Sequence, residues 1–201
     1  MMTVTYPVKK GIYVNMTNRC PCACTFCLRQ NGDSVYGSEP LWLDREPTVE
    51  EVCASIDRWD LAQYEEVVFC GYGEPTERLD DLLKVAAYIR EKSNIRIRIN
   101  TNGQANMIEK RDVTPEFKDI IDSVSISLNA PNAKRYDEIC KSHFGEAAFD
   151  GLQEFARLAK RYVPKVTLSI VDHDLTPEEI ETCRSIAEKC GVDFRVRAYI
   201  E

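Results

Sequence analysis

Residues 18–33 read NRCPCACTFCLRQNGD, and four of the chain's nine cysteines fall here within eight residues. Cys20, Cys24 and Cys27 make a C-x3-C-x2-C series, with Cys22 inside it. Thiolates so close together on a loop are soft ligands, and such sites select zinc, copper(I) or iron–sulfur clusters. A closed zinc site wants four ligands, usually two C-x2-C pairs or a C-x2-C with two histidines. No second C-x2-C exists, and the only histidines, His143 and His173, lie far along the chain. Three cysteines suit a [4Fe–4S] cluster with one iron left open, because full ligation takes four. An open iron can bind and activate a molecule, so the ligand count itself points to chemistry. Pro21 bears on the register, since proline biases the residue before it towards extended backbone. That suits Cys20, rather than Cys22, as the first ligand. A buried or zinc-bound cysteine group stays open as the alternative.

Outward from that loop, the chain's 201 residues suffice for one domain with a substantial core. Hydrophobic content of 44% and charge of 29% are ordinary for a globular protein. The net charge is −7, with no basic run, which disfavours extended nucleic-acid binding. No stretch approaches the length of a membrane-spanning helix, and residues 1–16 hold no apolar core of signal-peptide length. With an odd number of cysteines, this argues for a cytoplasmic protein using thiols for metal or redox work.

Gly11–Met16 reads as a buried strand feeding the cysteine loop. Leu28–Pro47 is a long polar connection in which Tyr36, Leu41, Trp42 and Leu43 give apolar purchase. It is either a surface loop with its own small cluster or a lid. Thr48 and Glu51 form a capping box for the first helix. A strand over Val67–Cys70 ends in Gly71-Tyr72-Gly73-Glu74-Pro75, and a helix follows over Leu79–Lys92. Further strands are expected at Ile95–Asn100, Val124–Leu128, Val166–Val171 and Phe194–Ile200. Helices are expected from Thr114-Pro115, from Asn132 to Cys140, over Phe149–Tyr162, and from Thr176 to Cys190. Six alternations of strand and helix predict an α/β protein, a partial (β/α)6 TIM-like barrel of parallel strands, in one domain over residues 1–201. Ligand sites in such folds lie at the C-terminal strand ends. The cysteine loop, GYGEP, TNG (Thr101–Gly103) and LNA (Leu128–Ala130) all fall there.

The cysteine triplet, with Phe26 just before its last member, resembles the signature of the radical S-adenosylmethionine (SAM) superfamily. GYGEP resembles that superfamily's GGEP element, with Tyr72 departing from the commonest spelling. The resemblance implies a radical SAM core with a [4Fe–4S] cluster on Cys20, Cys24 and Cys27. It implies SAM held by the backbone of Gly71, Tyr72, Gly73 and Glu74, by Thr101 at the methionyl part and by Ser127 and Asn129 at the ribose. Ser169 would reach the ribose or carboxylate, and Phe26 would lie near the adenine. The implied reaction is one-electron cleavage of SAM to a 5′-deoxyadenosyl radical that takes hydrogen from substrate. A low-potential donor such as flavodoxin or ferredoxin would supply the electron.

The spellings FCGYGEPT and SLNAP further resemble the small radical SAM proteins linked to TatD-type nucleases. The substrate would be a peptide or protein, or a small heterocycle. Cys22 is extra to the pattern, and Cys70 adjoins the site. Cys53, Cys140, Cys183 and Cys190 read as small apolar core residues. The competing functions are an iron–sulfur electron-transfer protein without SAM chemistry and a zinc-stabilised binding module.

Overall fold

The computed structural model describes residues 2–30, 32–34 and 37–199. Tyr36 and Ile200, read above as a packing residue and as the end of the last strand, lie outside the described residues. Seven strands form one sheet: β1 (Thr5–Val8), β2 (Gly11–Val14), β3 (Glu66–Phe69), β4 (Arg96–Thr101), β5 (Ser123–Ser127), β6 (Lys165–Asp172) and β7 (Asp193–Ala198). Their order in the sheet is their order in the chain. From β2 to β7 every pairing is parallel. β1 and β7 are the two edges, so the sheet is an open, partial barrel.

β1 corrects the expectation of six strands. It pairs antiparallel to β2, with Pro7 opposite Ile12. A proline in a four-residue run argues against a strand, except at a sheet edge where its missing N–H costs nothing. Here β1 is that edge.

The helices are α1 (Val49–Ile56), α2 (Leu79–Lys92), α3 (Ala105–Glu109), α4 (Ala133–Cys140), α5 (Ala147–Ala159) and α6 (Pro177–Cys190). α1 and α6 both open with a complete capping box, Thr48 with Glu51 and Thr176 with Glu179. Asn132 caps α4 by accepting from Arg135 N at 2.9 Å. The short turn Thr114–Phe117 opens at Thr114 with no side-chain cap at Val113, and Asp112 Oδ1 accepts from the Thr114 N–H at 3.0 Å.

The strands read as alternating rows. In β4, Ile97 and Ile99 join Leu82, Ala86 and Ile89 of α2 in the main core. Arg98 and Asn100, between them, face the concave side. β5 repeats this, with Val124 and Ile126 in the core and Ser127 on the concave wall. The period of two is thus preserved, with an apolar outer face under the helices and a polar inner one.

Candidate active site

The loop after β2 is pinned from several sides. Thr17 Oγ1 donates to Glu46 at 2.5 Å, and Asn18 exchanges bonds with Leu43 through Nδ2 (2.8 Å) and Oδ1 (3.1 Å). Asn15 Nδ2 donates to Leu41 O at 2.7 Å. The long connection is therefore tied down. Leu41 packs with Tyr6, Val8 and Tyr72 in a small second cluster. Tyr72 donates its hydroxyl to Gly32 O at 2.7 Å and meets Trp42 edge-on at 5.1 Å. Of the two readings of this connection, the packed one describes Leu41 and Leu43, while Leu28 and Arg29 do border the cavity described next.

A cavity of about 890 Å³ opens at the C-terminal ends of the strands and runs along the inner face. Cys20, Cys24, Phe26 and Cys27 line it from the β2 loop. Gly71, Tyr72, Gly73 and Glu74 line it after β3, Thr101 after β4, and Ser127 and Asn129 at the end of β5. Ser169 is not on this wall. It is buried, and its hydroxyl donates to Ile126 O at 3.3 Å.

The cysteine loop holds its sulfurs in a row, Cys20 beside Cys22, Cys22 beside Cys24, and Cys24 beside Cys140. Its neighbour Cys22, and then burial, push the Cys20 thiol up. The Cys140 sulfur does the same for Cys24, with Cys22 pulling the other way and burial pushing up. Cys20 pulls the Cys22 thiol down, but Cys24 and burial outweigh this and leave it at about 12. Binding a metal must therefore displace protons. Cys20, Cys24 and Cys27 are half-buried, whereas Cys22 is only 5% exposed and takes a hydrogen bond from Gln104 Nε2 at 3.2 Å. Among the described residues, no three His, Cys, Asp or Glu side chains close on one point as a single ion would need. A cluster makes a looser demand, because each thiolate binds a different iron. Three accessible soft donors on one wall fit it in type, number and exposure.

Glu74 staples two strand ends together. It is buried, and its Oε1 accepts from Thr76 N (3.1 Å), Thr76 Oγ1 (2.7 Å) and Thr101 Oγ1 (2.7 Å). Its Oε2 accepts from Asn102 N at 2.7 Å. Burial pushes its carboxyl up, and the bonds from Asn102, Thr101 and Thr76 oppose this. The Thr101 hydroxyl is thus committed to Glu74, and it also accepts from Gly103 N at 3.0 Å.

The glycines of GYGEP have a close neighbour other than a ligand. A Cβ on Gly71 would lie 2.1 Å from Asn15 Oδ1, and one on Gly73 would lie 2.2 Å from Thr17 O. They let the β3 loop pack on the β2 loop.

Asn129 lies beyond β5 in left-handed backbone, φ 56°, yet lines the same cavity as Ser127. Its Oδ1 is buried and has no hydrogen-bond partner. An orphaned acceptor on a cavity wall is costly unless a ligand satisfies it. It fits a hydroxyl donor such as a ribose. Ser127 Oγ accepts from Arg197 Nη2 at 3.4 Å. Phe26 sits 6.4 Å from the His173 ring, which stacks on Tyr199 at 4.2 Å.

Several wall residues escaped the sequence reading. Cys140 is in the main core as expected, and it also lines the cavity beside Cys24. Arg98, Asn100, Arg195 and Arg197 line its inner face. Arg98 is paired with Glu66 at 2.7 Å. The signal was present in the alternation IRIRIN and FRVRA, which gives each strand a polar face.

An open parallel barrel with a thiol-bearing loop and a cavity at its strand ends places the chain among the α/β proteins whose ligand sites lie at the C-terminal ends of the strands. The radical SAM superfamily profile matches residues 14–186, and the chain belongs to that superfamily. It is 26% identical over 180 residues to a probable GTP 3′,8-cyclase of Methanocaldococcus jannaschii, covering 88% of this chain and 56% of that one. It thus spans little more than half the length of this curated relative. Its fold matches that of SuiB from Streptococcus suis bound to the precursor peptide SuiA, with a TM-score of 0.69 and 17% identity over 94% of this chain and 39% of SuiB. A radical SAM methyltransferase from Sphaerobacter thermophilus matches with a TM-score of 0.66 and 16% identity over 96% of this chain and 68% of that one. SuiB has also been seen with S-adenosylmethionine bound. No helix among the described residues is long and apolar enough to cross a membrane.

Proposed function

We propose that the chain is an enzyme that holds a [4Fe–4S] cluster on Cys20, Cys24 and Cys27 and cleaves SAM reductively to act on a further substrate. The observation that carries this reading is the shared cavity. The three thiols and Asn129, whose buried Oδ1 has no hydrogen-bond partner, line one space of about 890 Å³. Cluster and SAM together supply one-electron cleavage to a 5′-deoxyadenosyl radical, the species that takes hydrogen from substrate. The chain's own residues do the rest. Asn129 and Ser127 hold the ribose hydroxyls, the aromatic face of Phe26 borders the adenine, and the backbone of Gly71–Glu74 meets the amino group. Thr101 acts through Glu74, keeping the two loops together. The walls exclude water from the reacting atoms. An electron carrier without SAM chemistry would have no use for a cavity of this size at the strand ends.

For the substrate, two classes stand. The relative named as a GTP cyclase supports a small heterocycle, and the SuiB complex supports a peptide. The inner wall favours the first, since Arg98, Asn100, Arg195 and Arg197 make it polar and cationic. Kinship to the TatD-linked proteins, a single domain over residues 1–201 and a cytoplasmic location complete the proposal.

The test is anaerobic reconstitution, reduction and assay of 5′-deoxyadenosine from SAM. Slow cleavage is expected even without substrate. Full cluster content with no SAM binding by calorimetry would end the reading.

A further inference from the structure

We propose that Cys140 is a positioning residue for the cluster: its thiol donates a hydrogen bond to the Cys24 sulfur, holds that ligand in place and raises the cluster's reduction potential. The proposal rests on the cluster assignment above.

Cys24 is clamped to the C-terminus of α4 through both of its neighbours. The Ala23 N–H reaches Cys140 O at 3.0 Å and Lys141 O at 3.3 Å, and the Thr25 N–H reaches Ile139 O at 2.8 Å. A helix ends with carbonyls that lack a donor within the helix, and here the cysteine loop supplies the donors. The clamp continues through a bridge between Cys22 and Ser142 and a bond from His143 N to Pro21 O at 2.7 Å.

This docking brings together two sulfurs from distant parts of the chain. Cys140 is 1% exposed and lines the same cavity as Cys24. Its sulfur is the largest influence on the Cys24 thiol, which it pushes up. That is the effect of a sulfur–sulfur hydrogen bond in which Cys24 holds the proton. A cluster takes this proton away, because the thiolate is the ligand. Cys140 is then the member of the pair with a proton to give. On its other side, Asn129 Nδ2 donates to Cys140 Sγ at 4.0 Å. The Cys140 sulfur thus accepts from Asn129, and its S–H is left to turn towards Cys24. Cys22 is placed differently. It touches both Cys20 and Cys24, so its single proton has two acceptors.

A hydrogen bond to a ligand thiolate draws negative charge from it and favours the reduced, more negative cluster. An electron must enter this cluster and leave it again for SAM to be cleaved, so the potential is part of the function. No covalent bond is made or broken, and Cys140 keeps its proton.

The experiment uses reconstituted holoprotein of wild type, Cys140→Ala, Cys140→Ser and Cys183→Ala. Cys183 is fully buried in α6, which packs on α5, β6 and β7, so its variant controls for the loss of a core thiol away from the loop. Midpoint potentials come from redox titration followed by electron paramagnetic resonance, without SAM and at equal iron content. Electron–nuclear double resonance of the reduced cluster in H2O and in D2O detects exchangeable protons beside it.

In Cys140→Ala the reduced-to-oxidised ratio at a fixed solution potential should fall at least ~3-fold, a downward shift of about 28 mV at about 59 mV per decade. One exchangeable proton coupling should vanish. Cys140→Ser keeps an O–H donor and should restore a coupling and much of the potential, while Cys183→Ala should match wild type. An unchanged potential in Cys140→Ala, an equal shift in Cys183→Ala, or a full set of exchangeable couplings in Cys140→Ala would overturn the proposal and leave SAM cleavage standing. Where Cys140→Ala holds too little cluster to titrate, Cys140→Ser carries the test: an altered exchangeable coupling supports the hydrogen bond, and couplings identical to wild type refute it. If the wild-type cluster does not form, the enzyme reading fails and this one with it.

Discussion

The side-chain amide of Gln104 donates to the sulfur of Cys22 at 3.2 Å, deep beneath the cysteine loop. The same nitrogen reaches the Tyr136 hydroxyl at 2.9 Å, and Ser142 Oγ donates to Gln104 Oε1 at 2.9 Å. Cys22 is thus occupied as an acceptor within a buried network, while Cys20, Cys24 and Cys27 stay half-exposed.

The first prediction follows from that division of labour. Cys22→Ser keeps an acceptor for Gln104 and should retain iron and deoxyadenosine formation. Serine at 20, 24 or 27 should lose both, for want of a third thiolate. All four variants need iron analysis on protein prepared without oxygen. Iron lost from Cys22→Ser but kept by Cys20→Ser would reverse the register.

Asn129 and Ser127 give a prediction about SAM. Alanine at either position should weaken SAM binding by about 0.5–1.5 kcal/mol per lost neutral hydrogen bond. Asn129→Ala also places alanine in left-handed backbone, at a cost of ~1 kcal/mol in stability. Asn129→Gly relieves that strain and should still bind SAM weakly. Dissociation constants unchanged in Ser127→Ala and Asn129→Gly would remove both residues from the site.

Glu74→Gln should destabilise the fold by about 1–3 kcal/mol, since an amide NH2 must face a backbone or hydroxyl donor. The penalty should depend on pH. Burial holds the Glu74 carboxyl above its ordinary value. The stability it contributes is therefore full below the ordinary glutamate range and is lost as pH rises through the folded value. The gap between wild type and Glu74→Gln should accordingly narrow as pH rises. Urea titrations at several pH values measure it, and a gap that widens would contradict the direction.

The two glycines of GYGEP should differ in tolerance. At Gly73 the added Cβ meets main chain, Thr17 O at 2.2 Å and Arg19 O at 2.6 Å. At Gly71 it meets only the Asn15 side chain. Gly73→Ala should therefore lower the melting temperature more than Gly71→Ala, with a cost of ~1–3 kcal/mol from overpacking. Equal melting temperatures would show that the β2 loop yields freely.

Much of the fold was legible because the helices announce themselves. Thr48 with Glu51, Asn132, and Thr176 with Glu179 are local signals that need no tertiary context. α2 runs over Leu79–Lys92, the span its periodicity predicts. β1 was hidden because Pro7 makes sense only at an edge, and an edge is a property of the whole sheet. In the site, the spacing of Cys20, Cys24 and Cys27 could be read, but not which loop they lean on. Thr101 was readable as a polar strand-end residue. That its hydroxyl is committed to Glu74 depends on how two distant loops meet. Ser169 is in register with Ser127 and Arg195 and so shares their inner face, and what keeps it off the cavity wall is its burial, which spacing along the strand does not show.

The agreement between strand order and chain order bears on how the molecule is made. Each strand pairs with the one synthesised just before it, so the sheet can grow by nearest-neighbour addition without waiting for distant partners. The cavity obeys a different schedule. The cysteine loop is synthesised early but is held by residues 139–143 through bonds such as Thr25 N to Ile139 O and His143 N to Pro21 O, and the wall at Ser127 and Asn129 arrives only when β5 is paired. Arg195 and Arg197 come later still, with the last strand. A nascent chain therefore carries its cysteine loop long before it has a chamber to enclose it.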